Sequence, residues 1–138
     1  MEYANPGQAA KVDALRDELG QAWDLRMLGR VERGRERVEA LHAQAEAIGY
    51  GPLLAEVAAE RAYAELAAGS MASGRALLNE AIDLAERQRH ERLLAELWTS
   101  AALLGFSTAD DEASAAWALR RAEVAWQKFE PDLRSSAR

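Results

Sequence analysis

The chain contains no cysteine, three prolines and two histidines. Without cysteine, no disulfide framework, thiolate metal site or cysteine nucleophile can form. Proline is confined to Pro6, Pro52 and Pro131, so long stretches between them are free to run as helix. There is no apolar run of the roughly 18 residues that a membrane-spanning helix needs. Residues Met1 to Gln8 lack the basic-then-apolar pattern of a signal peptide. These absences set the expectation of a cytoplasmic chain that makes no membrane contact. Concentrated positive charge is missing too. The formal charge is −6, and residues 1–51, 52–90 and 91–138 each carry −2. No segment has the basic footprint of a nucleic-acid binder.

What the chain does have is alanine, 31 residues of it, together with abundant Leu, Glu and Arg. That balance favours helix almost everywhere. Self-similarity then appears at a spacing of 40 residues. Ala22-Trp23 matches Ala62-Tyr63, Gly34-Arg35 matches Gly74-Arg75, and Val38 matches Leu78. Leu53-Leu54-Ala55-Glu56 recurs as Leu93-Leu94-Ala95-Glu96, and Ala62 maps to Ala102. After one inserted residue, Ser73 maps to Ser114, Leu78 to Leu119 and Ala81 to Ala122.

Each unit reads as two helices, over about 8–28 and 31–48, 52–68 and 70–88, then 91–106 and 110–129. Gly29 and Gly69 fall where a left-handed C-cap suits glycine. Gly49 and Gly51 bracket a break after which Pro52 can begin a helix. Asp110 and Asp111 are expected to cap the last helix, and Pro131 to end it before a frayed tail. Small residues recur at fixed places: Ala22, Ala62 and Ala102 in the first helices, Gly34, Gly74 and Ala115 in the second. A helix-interior glycine costs about 1 kcal/mol relative to alanine, so its return implies close helix contact there. The expectation is an all-α chain of about three helix-turn-helix repeats, six helices in one domain spanning 1–138, with repeats at about 8–48, 52–88 and 91–129.

Catalytic chemistry finds little support. Gly29 to Glu36 half-matches a phosphate-binding loop but lacks its Lys and Ser/Thr, and no strand precedes it. The same Gly-x4-Gly-Arg spacing returns from Gly69 to Arg75, which marks it as repeat punctuation. His42 and His90 are isolated, with no metal-ligand spacing around them. Glu60, Glu65 and Glu96 read as solvated or salt-bridged, and no serine sits in a Gly-x-Ser-x-Gly elbow. Arg26, Arg30, Arg33, Arg35 and Arg37, interleaved with Glu32 and Glu36, read as a solvated helix face. No catalytic residue, cofactor or metal is expected.

Gly69, Gly74, Leu78 and Ala81 resemble the second-helix signature of the tetratricopeptide repeat (TPR). Trp98 and Ala102 match the large-then-small pair of its first helix. The stretches Gly51 to Glu56, Ala85 to His90 and Ala95 to Thr99 are similar to TPR regions that follow the kinase domain of large bacterial serine/threonine kinases. The resemblance covers roughly residues 11–129 and implies a superhelical scaffold that binds a protein or peptide, as a regulatory segment of a larger signalling protein. No kinase motif is present. In the TPR family the position of Trp23, Tyr63 and Leu103 lines the concave groove. Neighbouring groove positions are Arg16, Leu19, Arg26, Glu56, Ala59, Leu66, Glu96, Thr99 and Phe106. Trp23 and Tyr63 stand where carboxylate-clamping TPRs carry Asn, so that ligand mode is not implied.

Two other readings stay open: a homo-oligomerisation element and a helical sensor of a small ligand. The last helix bears on the first. Leu119, Ala122, Trp126 and Phe129 form one apolar stripe, and Ala113, Trp117 and Val124 form a second. One stripe can pack within the chain. The other, with Trp117 and Val124, is expected to meet a following repeat or a second copy in a homodimer.

Overall fold

A computed structural model describes residues 6–106 and 112–127, the side chains of 105, 106 and 112–115 excepted. The described residues form α1 (Pro6–Met27), α2 (Val31–Ile48), α3 (Gly51–Ala67), α4 (Met71–Arg87), α5 (Glu91–Phe106) and α6 (Glu112–Gln127). No strand occurs among them. The chain is therefore the all-α arrangement of helix pairs that its 40-residue period implies, with helix ends close to those read from the sequence. The proposed caps Asp110 and Asp111, the side chain of Ala115, Phe129 and the tail from Pro131 lie outside the described residues.

Contacts gather the chain into two compact units, Met1–Leu84 and Ala85–Arg138, divided within α4. In the first unit α1 packs on α2 and α3, and α2 packs on α3. The core there is built from Val12, Leu15 and Ala22 of α1, Val38, Leu41 and Ala45 of α2, and Leu53, Val57 and Ala64 of α3. Their recurrence at three- and four-residue steps gives each helix one apolar stripe. In the second unit α5 packs on α6; the buried residues there include Leu93, Ala95, Leu97 and Ala102 of α5 and Ala118 and Ala122 of α6.

The small residues sit where helices come closest. Ala22, Ala62 and Ala102 are buried, as are Gly34 and Gly74. A Cβ on Gly34 would lie 3.2 Å from the Ala22 carbonyl oxygen. One on Gly74 would lie 2.5 Å from Leu66 Cδ2 and 3.2 Å from the Leu66 backbone nitrogen. Both glycines let a second helix cross the first at near-backbone distance.

The turns reuse one device. Gly29 (φ 81°) and Gly69 (φ 85°) are left-handed. Past each, Arg30 N–H donates to Leu25 O at 2.8 Å and Ser70 N–H donates to Glu65 O at 3.0 Å. Gly29 and Gly69 N–H donate three residues back, to Arg26 O and Leu66 O, completing a Schellman motif. The same pair of bonds closes α4, His90 N–H to Ala85 O at 2.9 Å and Arg89 N–H to Glu86 O at 3.1 Å. There the left-handed residue is Arg89, at φ 53°, in the repeat position of Gly49. A side chain in this conformation costs about 1–2 kcal/mol, partly offset by glycine's larger unfolded-state entropy. Arg89→Gly is therefore expected to stabilise the chain by about 0.5–1 kcal/mol. A urea denaturation midpoint that falls in this variant would contradict the assignment.

Candidate functional site

Because α1 and α3 both run the same way along the first unit, residues one repeat apart stand side by side. Arg16 and Glu56, separated by 40 positions, form a bidentate pair: Nε donates to Oε1 at 3.2 Å and Nη2 to Oε2 at 2.9 Å. Further along, Arg26 of α1 clamps Glu60 of α3, with Nε to Oε1 at 2.7 Å and Nη2 to Oε2 at 3.4 Å. Each guanidinium also lies over a tyrosine ring, Arg16 over Tyr50 at 5.9 Å and Arg26 over Tyr63 at 5.3 Å. The planar fork of arginine matches a carboxylate in two hydrogen bonds while its face stacks on an aromatic, which lysine cannot do.

On the other side of α3, Glu65 ties three helices. Arg35 of α2 donates to it at 2.7 and 3.1 Å, and the Ser73 hydroxyl of α4 donates at 3.0 Å. Glu60 and Glu65 are the buried charged side chains among the described residues, 6% and 8% exposed. Burial pushes the Glu60 carboxyl above its ordinary 4.5, against the hydrogen bonds and charge of Arg26, which pull it down. These acids are taken up by their arginines and hold helices together. Among the described residues no three His, Asp or Glu side chains group to hold a metal.

Of the arginine run read as one solvated face, Arg26 and Arg35 are half-buried clamps, whereas Arg30, Arg33 and Arg37 are exposed. Arg26 and Arg35 are thus not members of a solvated face, because Glu60 and Glu65 of the neighbouring helix draw them in. Glu39 with Arg61, at 2.9 Å, adds an α2–α3 pair near the surface. His90 accepts weakly from Leu93 N–H at 3.4 Å at the start of α5, a helix-terminus role. His42 is paired with Glu46 on its own helix.

The remaining candidates are placed unevenly. Trp23, 48% exposed, stands on the α1 face beside the Arg16 and Arg26 clamps, with Met27 next to it at 59%. Leu19 leans on the core. Leu66 packs on Gly74 at the α3–α4 crossing. In the second unit Leu103 is 67% exposed and Glu96 is exposed beside Arg92. Thr99 donates to Ala95 O at 2.8 Å and accepts from Trp126 Nε1 at 2.9 Å, which ties α6 to α5 at that point, while Leu119 and Trp126 stay 41% and 40% exposed. The side chain of Phe106 lies outside the described residues.

Trp117 does not lack a partner in its own chain. Its ring meets Trp98 edge-on with centroids 5.0 Å apart, and the Arg121 guanidinium lies over both rings. Even so, Trp117 is 54% exposed and Val124, two turns on, is 56% exposed. Sequence reasoning missed the Arg16–Glu56 rung, although opposite charges one repeat apart were a readable signal for it.

No protein-family model matches the chain, and no curated protein or solved structure matches it either.

Proposed function

We propose that this chain is a non-catalytic, TPR-like module that binds a protein or peptide on the face shared by α1 and α3. We place it as a regulatory segment of a larger bacterial signalling protein of the kind that carries serine/threonine kinases. The observation that supports the binding face is the exposure of Trp23 on a rigidly clamped surface. Two bidentate arginine–glutamate pairs fix the helices on which Trp23 and Tyr63 stand. A large aromatic held half in water, on a framework that does not need it for its core, is the usual make-up of a binding anchor. The acids that would serve catalysis are occupied by structural pairing instead, which favours a scaffold over an enzyme.

Trp23→Ala is expected to weaken partner binding by more than about 1 kcal/mol with the unfolding midpoint unchanged. Tyr63→Ala should weaken binding and stability together, because Arg26 stacks on the Tyr63 ring. Calorimetric titration of a captured partner, with thermal melts beside it, separates the two effects. A Trp23→Ala protein that unfolds earlier by as much as it binds more weakly would move Trp23 into the core.

A second reading concerns α6. The exposed pair Trp117 and Val124, on one face of that helix, supports contact with a following repeat or with a second copy of the chain. The small-ligand reading gains less. The cleft between α1 and α2 is lined by Gln21, Asp24, Leu25, Leu28, Arg33, Glu36 and Arg37, and neither Trp23 nor Tyr63 lines it.

A further inference from the structure

Gly20 stands in the middle of α1 with nothing within 4 Å of where its Cβ would be. Unlike Gly34 and Gly74, it has no packing reason to be glycine. It costs the helix about 1 kcal/mol relative to alanine, without compensation inside the chain. One of its neighbours on the helix surface, Arg16, is taken up by Glu56, and the others divide into two kinds. Trp23 and Met27, three and seven residues on, are the exposed apolar side chains of the face described above. Asp13, Asp17 and Asp24, at seven and three residues before and four after, are all exposed; Asp24 also borders the α1–α2 cleft that Arg33 and Arg37 line. Gly20 is therefore a dent with an apolar rim on one side and an acidic rim on the other.

From this arrangement we infer that the face receives an amphipathic helix of a partner protein whose flank is basic. The inference rests on the protein-binding reading and specifies its partner. A helix fits because Gly20, Trp23 and Met27 recur at three- and four-residue steps, the spacing by which one helix seats on another. The dent at Gly20 admits a partner side chain close to the α1 backbone. The row of aspartates meets lysine or arginine beside the partner's apolar edge, where charge complementarity raises the association rate and rejects acidic helices.

The probe is a synthetic heptad peptide of leucine, alanine and lysine, titrated into the intact chain and read by Trp fluorescence and calorimetry. A matched peptide carries glutamate in place of lysine. The lysine peptide should bind and the glutamate peptide should not. Asp13→Asn, Asp17→Asn and Asp24→Asn together should weaken binding about tenfold at low salt. Removing as much charge elsewhere, with Glu80→Gln, Glu86→Gln and Glu123→Gln, should leave it unchanged. Gly20→Gln, which fills the dent and improves helix propensity, should weaken binding while raising the melting temperature. The inference is overturned if the lysine peptide does not bind, if the two charge-removal triples act equally, or if Gly20→Gln binds as well as the parent. Binding of the glutamate peptide through Trp23 would overturn the basic-helix inference and leave the protein-binding reading standing. Failure of any protein to engage Trp23 in cells would remove both.

Discussion

Replacing Arg26 with alanine is expected to cost about 3 kcal/mol of stability at neutral pH, the scale for breaking a buried ion pair by removing one partner. The reason lies in what is left behind. Glu60 is 6% exposed, and its carboxylate takes both of its arginine hydrogen bonds from Arg26. Without the guanidinium the charge is buried alone, and Tyr63 also loses the cation over its ring. The pH dependence follows from the direction of the Glu60 shift. Its folded-state pKa is raised above the ordinary 4.5, so the folded protein holds that proton more tightly than the unfolded one. The group's contribution to stability is thus greatest below 4.5 and is lost as pH rises through the folded value. Arg26→Ala removes the two influences that lower that value, so the window extends upward. The variant's deficit should be largest at neutral pH and shrink on acidification towards the Glu60 pKa. Arg26→Lys should recover only part of the loss, because an ammonium cannot form the fork. Urea melts at neutral and mildly acidic pH measure this directly, and a deficit that stays constant with pH would show that Glu60 does not carry it.

Gly74→Leu is expected to cost about 3 kcal/mol, at the upper end for overpacking. Here even the first added carbon would lie 2.5 Å and 2.7 Å from Leu66 Cδ2 and Cγ. The Leu66 side chain could swing away from one methyl group, but the backbone nitrogen at 3.2 Å could give way only by moving α3. Such a shift would also disturb Ser73 on Glu65, one residue before Gly74 on α4 and one before Leu66 on α3. A thermal melt unchanged by Gly74→Leu would mean that α3 and α4 do not cross there.

Both sites bear on what could be read before the structure. The period of 40 located Gly34 and Gly74 at helix crossings because a helix-interior glycine needs a steric reason, and that reason repeats. The turns were legible for the same kind of reason, since Gly29 and Gly69 mark left-handed caps. The reading of Arg26 and Arg35 failed because charge interleaving on one helix says nothing about the helices packed against it. Arg35 sits beside Glu32 in sequence, yet its short contacts go to Glu65, thirty positions on. Burial of Glu60 and Glu65 was likewise invisible, since α3 looks like an ordinary alanine-rich helix with its acids exposed. The Arg89 turn left no mark in the sequence, because a left-handed cap is signalled by glycine and arginine rarely occupies one.

Legibility was lowest on the candidate face. Repeat position grouped Trp23 with Tyr63 and Leu103, but exposure separates them: Trp23 stands half in water, Tyr63 lies under a guanidinium, and Leu103 is largely free. What distinguishes them is the neighbour each meets across the helix pair, which no single-helix pattern records.

The central claim, that the shared face of α1 and α3 binds protein, is tested most directly by site-specific photo-crosslinking in the source cell. A photoreactive phenylalanine analogue at position 23 should capture a defined protein adduct, and the same analogue at exposed Ala47 of α2 should not. Equal capture at both positions, or none at position 23 in a protein that melts normally, would contradict the claim.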